Sequence, residues 1–292
     1  MITLQQLRYF KELAKTEHLT QTAQRLHITQ TTLSNTIINL ERQLGVKLFD
    51  RTGRNLRLND IGRNYLTHIS QALAALDTAQ TIIDDYRADA HQSVSVATFS
   101  STVWSDLIHD FHTRYSTYSI RQLDCDKARF RDLLLDQEVD FVIAGTQDIP
   151  LSGLEHFVIR VEPLFLCVPT GHPLSMRPHI LLEDARDEDF INLPESNGFR
   201  GFCDDLFQKA GIEYCAALEC DYTMRGKLVA AGFGVAITTN ITRQLNLMGD
   251  NVTYIPISDP FAQRSISLIW NPRHYLSRAA LDFRDFVVNR SQ

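Results

Sequence analysis

No stretch of this 292-residue sequence approaches the run of about 20 apolar residues that a bilayer-spanning helix needs, so no membrane partner is expected. Its opening residues, MITLQQLRYF, have no basic start, no long apolar core and no small-residue cleavage site, and a cytoplasmic protein is the expectation. Cysteine is sparse and unpatterned. Cys125, Cys167, Cys203, Cys215 and Cys220 are an odd count without a C-x-x-C pair, which argues against a disulfide framework or a zinc knuckle. G-x-S-x-G, H-E-x-x-H and a glycine-rich phosphate loop are all missing, and the ten histidines are scattered. Hydrolase, metalloprotease and nucleotide chemistry are therefore not expected, and neither a cofactor nor a metal is called for.

What is present describes a folded protein of more than one domain. Hydrophobic residues make up 44% and charged residues 22% of a chain too long for one typical core. The net charge of −6 hides a segregation. Residues 1–60 hold nine Lys or Arg against five acids, a net +4; the remainder holds twenty basic and thirty acidic residues, a net −10. A basic head on an acidic body suits a head that meets phosphate while the body is kept away from it.

The head reads as three short helices and a hairpin. Thr3 precedes apolar residues at helical spacing, Leu4, Leu7, Phe10, Leu13 and Ala14, and forms a capping box with Gln6. Thr20 is taken as the start of a second helix through Ala23 and Leu26. Thr29 heads a third, with an apolar face of Leu33, Ile37, Leu40 and Leu44, and Gly45 stands where a left-handed residue would end it. VKLFDRTGRNLRLN then places apolar residues on both sides of a Thr-Gly turn flanked by arginine, the pattern of a two-stranded wing. Three helices and a wing make a winged helix-turn-helix over residues 1–58, whose third helix would enter the DNA major groove. A solvated helical domain with a basic face is the plainer alternative.

The stretch from LRYF through TQTAQRLHITQTTLSNTIINLERQLGVKLFDRTGRNLRLNDIG resembles the LysR-type transcriptional regulators at position after position, among them Leu7, Phe10, Ala23, Thr29, Gln30, Ser34, Glu41, Gly45, Arg51, Arg54 and Gly62. The resemblance implies a sequence-specific double-stranded DNA-binding regulator. The chain departs from the family where base contacts are made: Thr31 and Thr32 replace the usual Pro-Ala or Pro-Ser, and Asn35 replaces Arg. Gln30, Thr31, Thr32, Ser34 and Asn35 remain as candidate base readers, Asn and Gln pairing best with adenine. Arg51 and Arg54 on the wing suit phosphate or the minor groove.

From Asp60 to about Ala88 the chain has no proline. Ile61, Tyr65, Ile69, Ala72, Leu76, Ala79, Ile83 and Tyr86 recur in steps of three and four, close to a heptad seam. A linker helix over 59–90 would have nothing local to pack against, so a homodimer is expected through it; the resemblance adds a tetramer.

Beyond His91 short β-rich runs alternate with amphipathic segments, an α/β pattern. SVSVATF, SIRQLDC, VDFVIAG, PLFLCVP, DFINLP, CAALEC, GVAIT, VTYIPI and SISLIW read as strands. This body, 91–292, resembles the family's effector-binding region, which is similar to periplasmic solute-binding proteins. Two subdomains are implied, one about 91–163 with 265–292 and the other about 164–264, with crossings near 162–165 and 261–266 and a small-molecule effector between them. Thr98, Ser100, Ser101 and Thr102 supply hydroxyls at a helix start that would cradle an anion, or merely cap the helix. Cys125, Thr146, Ser196, Asn197 and Phe199 complete the candidate pocket, and Arg200 is a candidate countercharge. Two further alternatives stand beside an effector-modulated regulator: a redox-responsive one acting through cysteine, and an architectural DNA-binding protein without a ligand.

Overall fold

A computed structural model describes residues 1–52, 55–86, 92–98, 104–214 and 216–290. It divides into two compact units, Met1–Ile83 and Asp84–Gln292.

In the first unit α1 (Leu4–Thr16) begins at the capping box: Thr3 Oγ1 accepts from Gln6 N, and Gln6 Oε1 accepts from Thr3 N. Glu17 ends the helix in the left-handed region at φ 50°. The second helix, α2 (Leu19–Arg25), is capped not by Thr20 but by His18, whose Nδ1 accepts from Gln21 N at 3.3 Å. Thr20 lies inside that helix and donates to Gln30 Oε1 at 2.9 Å. In α3 (Gln30–Leu44) the expected Thr29 cap and the left-handed Gly45, at φ 73°, are both present. The wing is an antiparallel pair, β1 (Phe49–Thr52) and β2 (Asn55–Leu58).

Phe10, Leu13, Ala23, Leu33, Ile37, Leu40, Leu48, Phe49 and Leu58 close into one buried cluster. Each large side chain in it contributes about 1.5–3 kcal/mol relative to exposure. Helix α4 (Asp60–Tyr86) starts against this core. Gly62 has no room for a side chain, because a Cβ would collide with the Leu48 carbonyl. Tyr65, expected on a seam, instead sets its ring 5.4 Å from Phe10 in the head's own core. Ile61 at its start and, farther along, Leu76, Ile82 and Ile83 are exposed apolar residues within the single chain.

The second unit holds a seven-stranded sheet. In its first half β3 (Ser93–Thr98) pairs in parallel with β4 (Ser119–Asp124) and β5 (Phe141–Gly145). Helices α5 (Ser105–Arg114), α6 (Lys127–Leu135) and α10 (Arg278–Arg290) belong to this half. Val96, Phe111, Phe141 and Phe283 pack in one cluster, and Ala97, Phe130, Leu134 and Val142 in another. All five residues of β5 are buried, as expected where a parallel sheet is covered on both faces.

The connecting ribbon is β6 (Glu155–Pro169), which begins eight residues before the strand expected at Pro163. Its early part pairs with β11 (Gln263–Trp270) and its later part with β9 (Ala236–Thr239) and β10 (Val252–Pro256). Pro163, opposite Gln263, has no amide hydrogen to give, and the β6–β11 register shifts between Ile266 and Ser267. The second half is built around β9, β10 and a short parallel pair, β7 (Phe190–Asn192) and β8 (Ala216–Glu219). Helices α7 (Gly198–Ala210), α8 (Tyr222–Ala230) and α9 (Asn240–Gln244) accompany it. Its main core gathers Leu164, Leu166, Phe190, Phe199, Leu206 and Phe207.

Candidate functional site

On α3, Gln30, Thr31, Thr32 and Asn35 are exposed and Ser34 is half-buried, while Leu33 and Ile37 face inward. Two of these are partly engaged: Thr32 shares a 2.8 Å hydrogen bond with Thr29, and Gln30 Oε1 receives the Thr20 hydroxyl. The side chains of Thr31 and Asn35 make no hydrogen bond among the described residues. The exposed residues of the first turns of α3 are polar and uncharged, with amide and hydroxyl groups suited to base edges.

Two carboxylates hold the wing in register with the helices. Glu41, 6% exposed, accepts from Leu48 N at 2.9 Å and Phe49 N at 3.3 Å and pairs with Lys47 at 2.7 Å. Glu17 accepts from Leu58 N at 2.8 Å and from Arg57 at 2.6 Å. The Leu58 amide first, and then Arg57, hold its carboxyl below the ordinary 4.5. Arg51 lies in β1, but its side chain is outside the described residues, as is Arg54.

In the second unit a cavity of about 50 Å³ opens where β5, the middle of β6, β11 and the starts of α7 and α8 converge. Its lining is dominated by charge. Arg264 Nη2 donates to Asp148 Oδ2, and Arg160 Nε lies 2.6 Å from Glu162 Oε1. All four side chains are largely withdrawn from water: Asp148 and Glu162 are each 5% exposed, Arg264 10% and Arg160 32%. Burial pushes the Glu162 carboxyl up, against the opposing pull of Arg160 and Arg264. The arginines lie over aromatic rings, Arg160 at 4.7 Å from Trp104 and Arg264 at 5.0 Å from Phe199. Arg264 Nε and Arg160 Nη2 nonetheless find no hydrogen-bond acceptor among the described residues. Arg225, which is not part of the lining, is 2% exposed, lies over the Tyr222 ring, and leaves Nε and Nη2 equally unsatisfied.

Two matches cover both units. Residues 4–63 match the family described as bacterial regulatory helix-turn-helix protein, lysR family, and residues 93–292 match the LysR substrate binding domain. The chain belongs to the LysR family of transcriptional regulators. Among its relatives is the transcriptional dual regulator GltC of Bacillus subtilis, 30% identical with 98% of this chain and 96% of that protein covered. In fold it is similar to full-length CbnR, solved in complex with its target DNA, at a TM-score of 0.68, 22% identity and full coverage of both chains. The second unit is similar to the effector-binding domain of QuiR in complex with shikimate, at a TM-score of 0.61 and 21% identity over 69% of this chain and 98% of that one. This LysR protein is thus a DNA-binding transcriptional regulator with an effector-binding domain, not an enzyme.

The cavity in the second unit of this LysR chain collects only part of the residues expected from sequence. Asn197 and Phe199 line the cavity, and Asn197, 2% exposed, caps α7 by accepting from Phe199 N at 2.8 Å. Thr146 does not line it; its hydroxyl is spent on Ser267 at 2.7 Å and the Ser265 carbonyl. Ser196 is exposed and Cys125 packs beside the Phe130 cluster, both outside the lining. Thr98 is fully buried within β3, while Ser100, Ser101 and Thr102 lie outside the described residues. Arg200 is no countercharge for the cleft: it is held by Asp204 at 2.8 Å, Glu219 at 2.5 Å and the Leu193 carbonyl. Sequence reasoning missed Asp148, Arg160, Glu162, Arg264, Trp104 and Tyr222. The crossings expected near 162–165 and 261–266 were the available signal, since they bracket Glu162 and Arg264.

The four described cysteines are poorly suited to redox chemistry. Burial pushes the Cys125 thiol up to about 11 and those of Cys167 and Cys203 up to about 12. Cys220 is raised by the same cause, and Cys215 lies outside the described residues. A thiol held protonated is a weak nucleophile toward an oxidant. Among the described residues no cluster of metal ligands occurs, and no helix is long and apolar enough to cross a membrane.

Proposed function

We propose that this regulator acts in the cytoplasm as a homodimer paired through α4, reads paired operator half-sites with α3 and the wing, and responds to a small anionic effector held in the cleft. The charge balance of the cleft carries the effector class. Arg160 and Arg264 meet there against Asp148 and Glu162, and burial drives Glu162 toward its neutral form. An excess of buried cation is costly unless an anion balances it. The same excess disfavours an architectural protein without a ligand, because such a protein has no need of unspent guanidinium hydrogens. The raised thiols disfavour a cysteine switch.

For the dimer, support comes from Leu76, Ile82 and Ile83, large apolar side chains left exposed on α4 in the single chain. A twofold assembly would present two heads to a palindrome, and assembly of dimers into a tetramer follows the family resemblance alone.

Thermal unfolding of the full chain with organic acids, each paired with its neutral amide, tests the effector class. At about a hundredfold excess over its Kd a true ligand adds roughly 2.7 kcal/mol to stability. Stabilisation by an acid but not by its amide is expected. Stabilisation by a neutral or cationic compound, with every acid inert, would overturn the assignment.

A further inference from the structure

One carboxylate of the protein already sits where a ligand's carboxylate would bind. Asp148 ends the short 3-10 turn Thr146–Asp148 after β5, in the first half of the domain, and is 5% exposed. Its Oδ2 accepts from Gly145 N at 3.0 Å and from Arg264 Nη2. On its far side lies Gly198, the first residue of α7 in the second half. A Cβ on Gly198 would stand 2.6 Å from the Asp148 carboxyl carbon, and a Cβ on Gly145 would stand 2.7 Å from both Asp148 Oδ2 and Arg264 Nη2. Two glycines, one from each half, leave the room this ion pair occupies.

The surroundings have the makings of a carboxylate receptor. A guanidinium, a backbone N–H and the positive end of the 13-residue α7 converge on one planar anion. Asp148 uses this receptor incompletely, because Arg264 Nε, on a side chain nine-tenths buried, still lacks an acceptor among the described residues. With Asp148 in place the remaining cavity of about 50 Å³ has room for a few waters. Ligand pockets are typically several times larger, about 300 Å³ and upward.

We propose that Asp148 is a built-in competitor: it fills the anion subsite formed by Arg264, Gly145 and the start of α7, and the effector binds by displacing it. This inference rests on the anionic-effector reading above. The exchange replaces a tethered carboxylate by a free one, so the buried charge count is preserved. A tethered group has an effective concentration in the millimolar range, and a simple monoacid at lower concentration does not compete. The acid that succeeds carries a second anionic group for Arg160, whose Nη2 is also unspent. Asp148 thereby sets both the threshold of the response and a preference for diacids.

The test titrates the full-length protein, Asp148→Asn and Arg264→Gln by calorimetry with acetate, malonate, succinate, glutarate, adipate and inorganic phosphate. Far-UV circular dichroism checks each fold, and Asp148→Ser replaces Asp148→Asn should the amide not fold. At least one diacid is expected to bind Asp148→Asn ten or more times tighter than the parent, and Arg264→Gln is expected to bind none. If a diacid binds the parent in an Arg264-dependent way but Asp148→Asn gains nothing, the competitor is overturned while the anionic-effector reading stands. If phosphate alone gains, the carboxylate assignment falls. If no anion binds any of these proteins, both fall together.

Discussion

The head and the cleft use charge in opposite ways. In the head, the carboxylates of Glu41 and Glu17 point at backbone N–H groups of the wing and fix its shape, and the outward residues of the first turns of α3, Gln30 to Asn35, are neutral. In the cleft the charges are the surface on offer, turned inward and only partly matched with one another. A carboxylate spent on backbone amides is satisfied and makes a rigid part. A guanidinium with idle N–H groups retains binding capacity, and its withdrawal from water makes each new partner count for more.

That contrast can be broken most forcefully at Arg264. Arg264→Met leaves Asp148 buried without its cation, and the effector-binding domain should lose about 3–5 kcal/mol, read as a lower unfolding temperature. Equal stability in parent and variant would mean that the cleft's charges are structurally neutral. A smaller effect is expected at Asn35→Ala, which removes an exposed amide from the reading face. Discrimination at one operator base pair should weaken by about 1–3 kcal/mol in competition binding, with affinity for scrambled DNA retained. Equal losses on both DNAs would make Asn35 a backbone contact instead. The smallest effect belongs to Glu17. Because its folded-state carboxyl lies below the ordinary 4.5, its contribution is complete above that pH and is lost as pH falls through the lower folded value. Acid titration of parent and Glu17→Gln should show a stability gap that is constant above pH 4.5 and closes below it.

The two regions also differed in how far they could be read from sequence. Most of the head is written in short-range signals: Thr3 with Gln6, Thr29 three residues before Thr32, Gly45 after Leu44, and an apolar face repeating every three or four residues. Only the cap of α2 was misread, because a histidine ring at His18 does the work expected of Thr20. In the body, β-rich runs marked nearly every strand, since a sheet covered on both faces leaves an uninterrupted apolar run such as FVIAG. The early part of β6 escaped, its EHFVIRV alternating charge with apolar residues at the place where it pairs with β11. The cleft was the least legible part. Asp148, Arg160, Glu162 and Arg264 meet across more than a hundred positions, and each alone resembles an ordinary solvated charge. Hydroxyl-rich loops drew attention instead, yet Thr146 is consumed by a neighbouring strand. Only folding distinguishes a spent polar group from an idle one.

The ribbon joining the halves of the body carries a mechanical consequence. β6 runs unbroken through both, yet at Pro163 it has no hydrogen to offer, and just before it, opposite the step from Ile266 to Ser267, its ladder to β11 slips register. The strap is weakest in cross-links beside the cavity, and on either side it is welded into a closed hydrophobic core. A torque applied at the cleft would therefore be taken up as flexure over a few peptide units, and each half would travel as a stiff plate, converting an ångström-scale rearrangement of charges into an angular displacement.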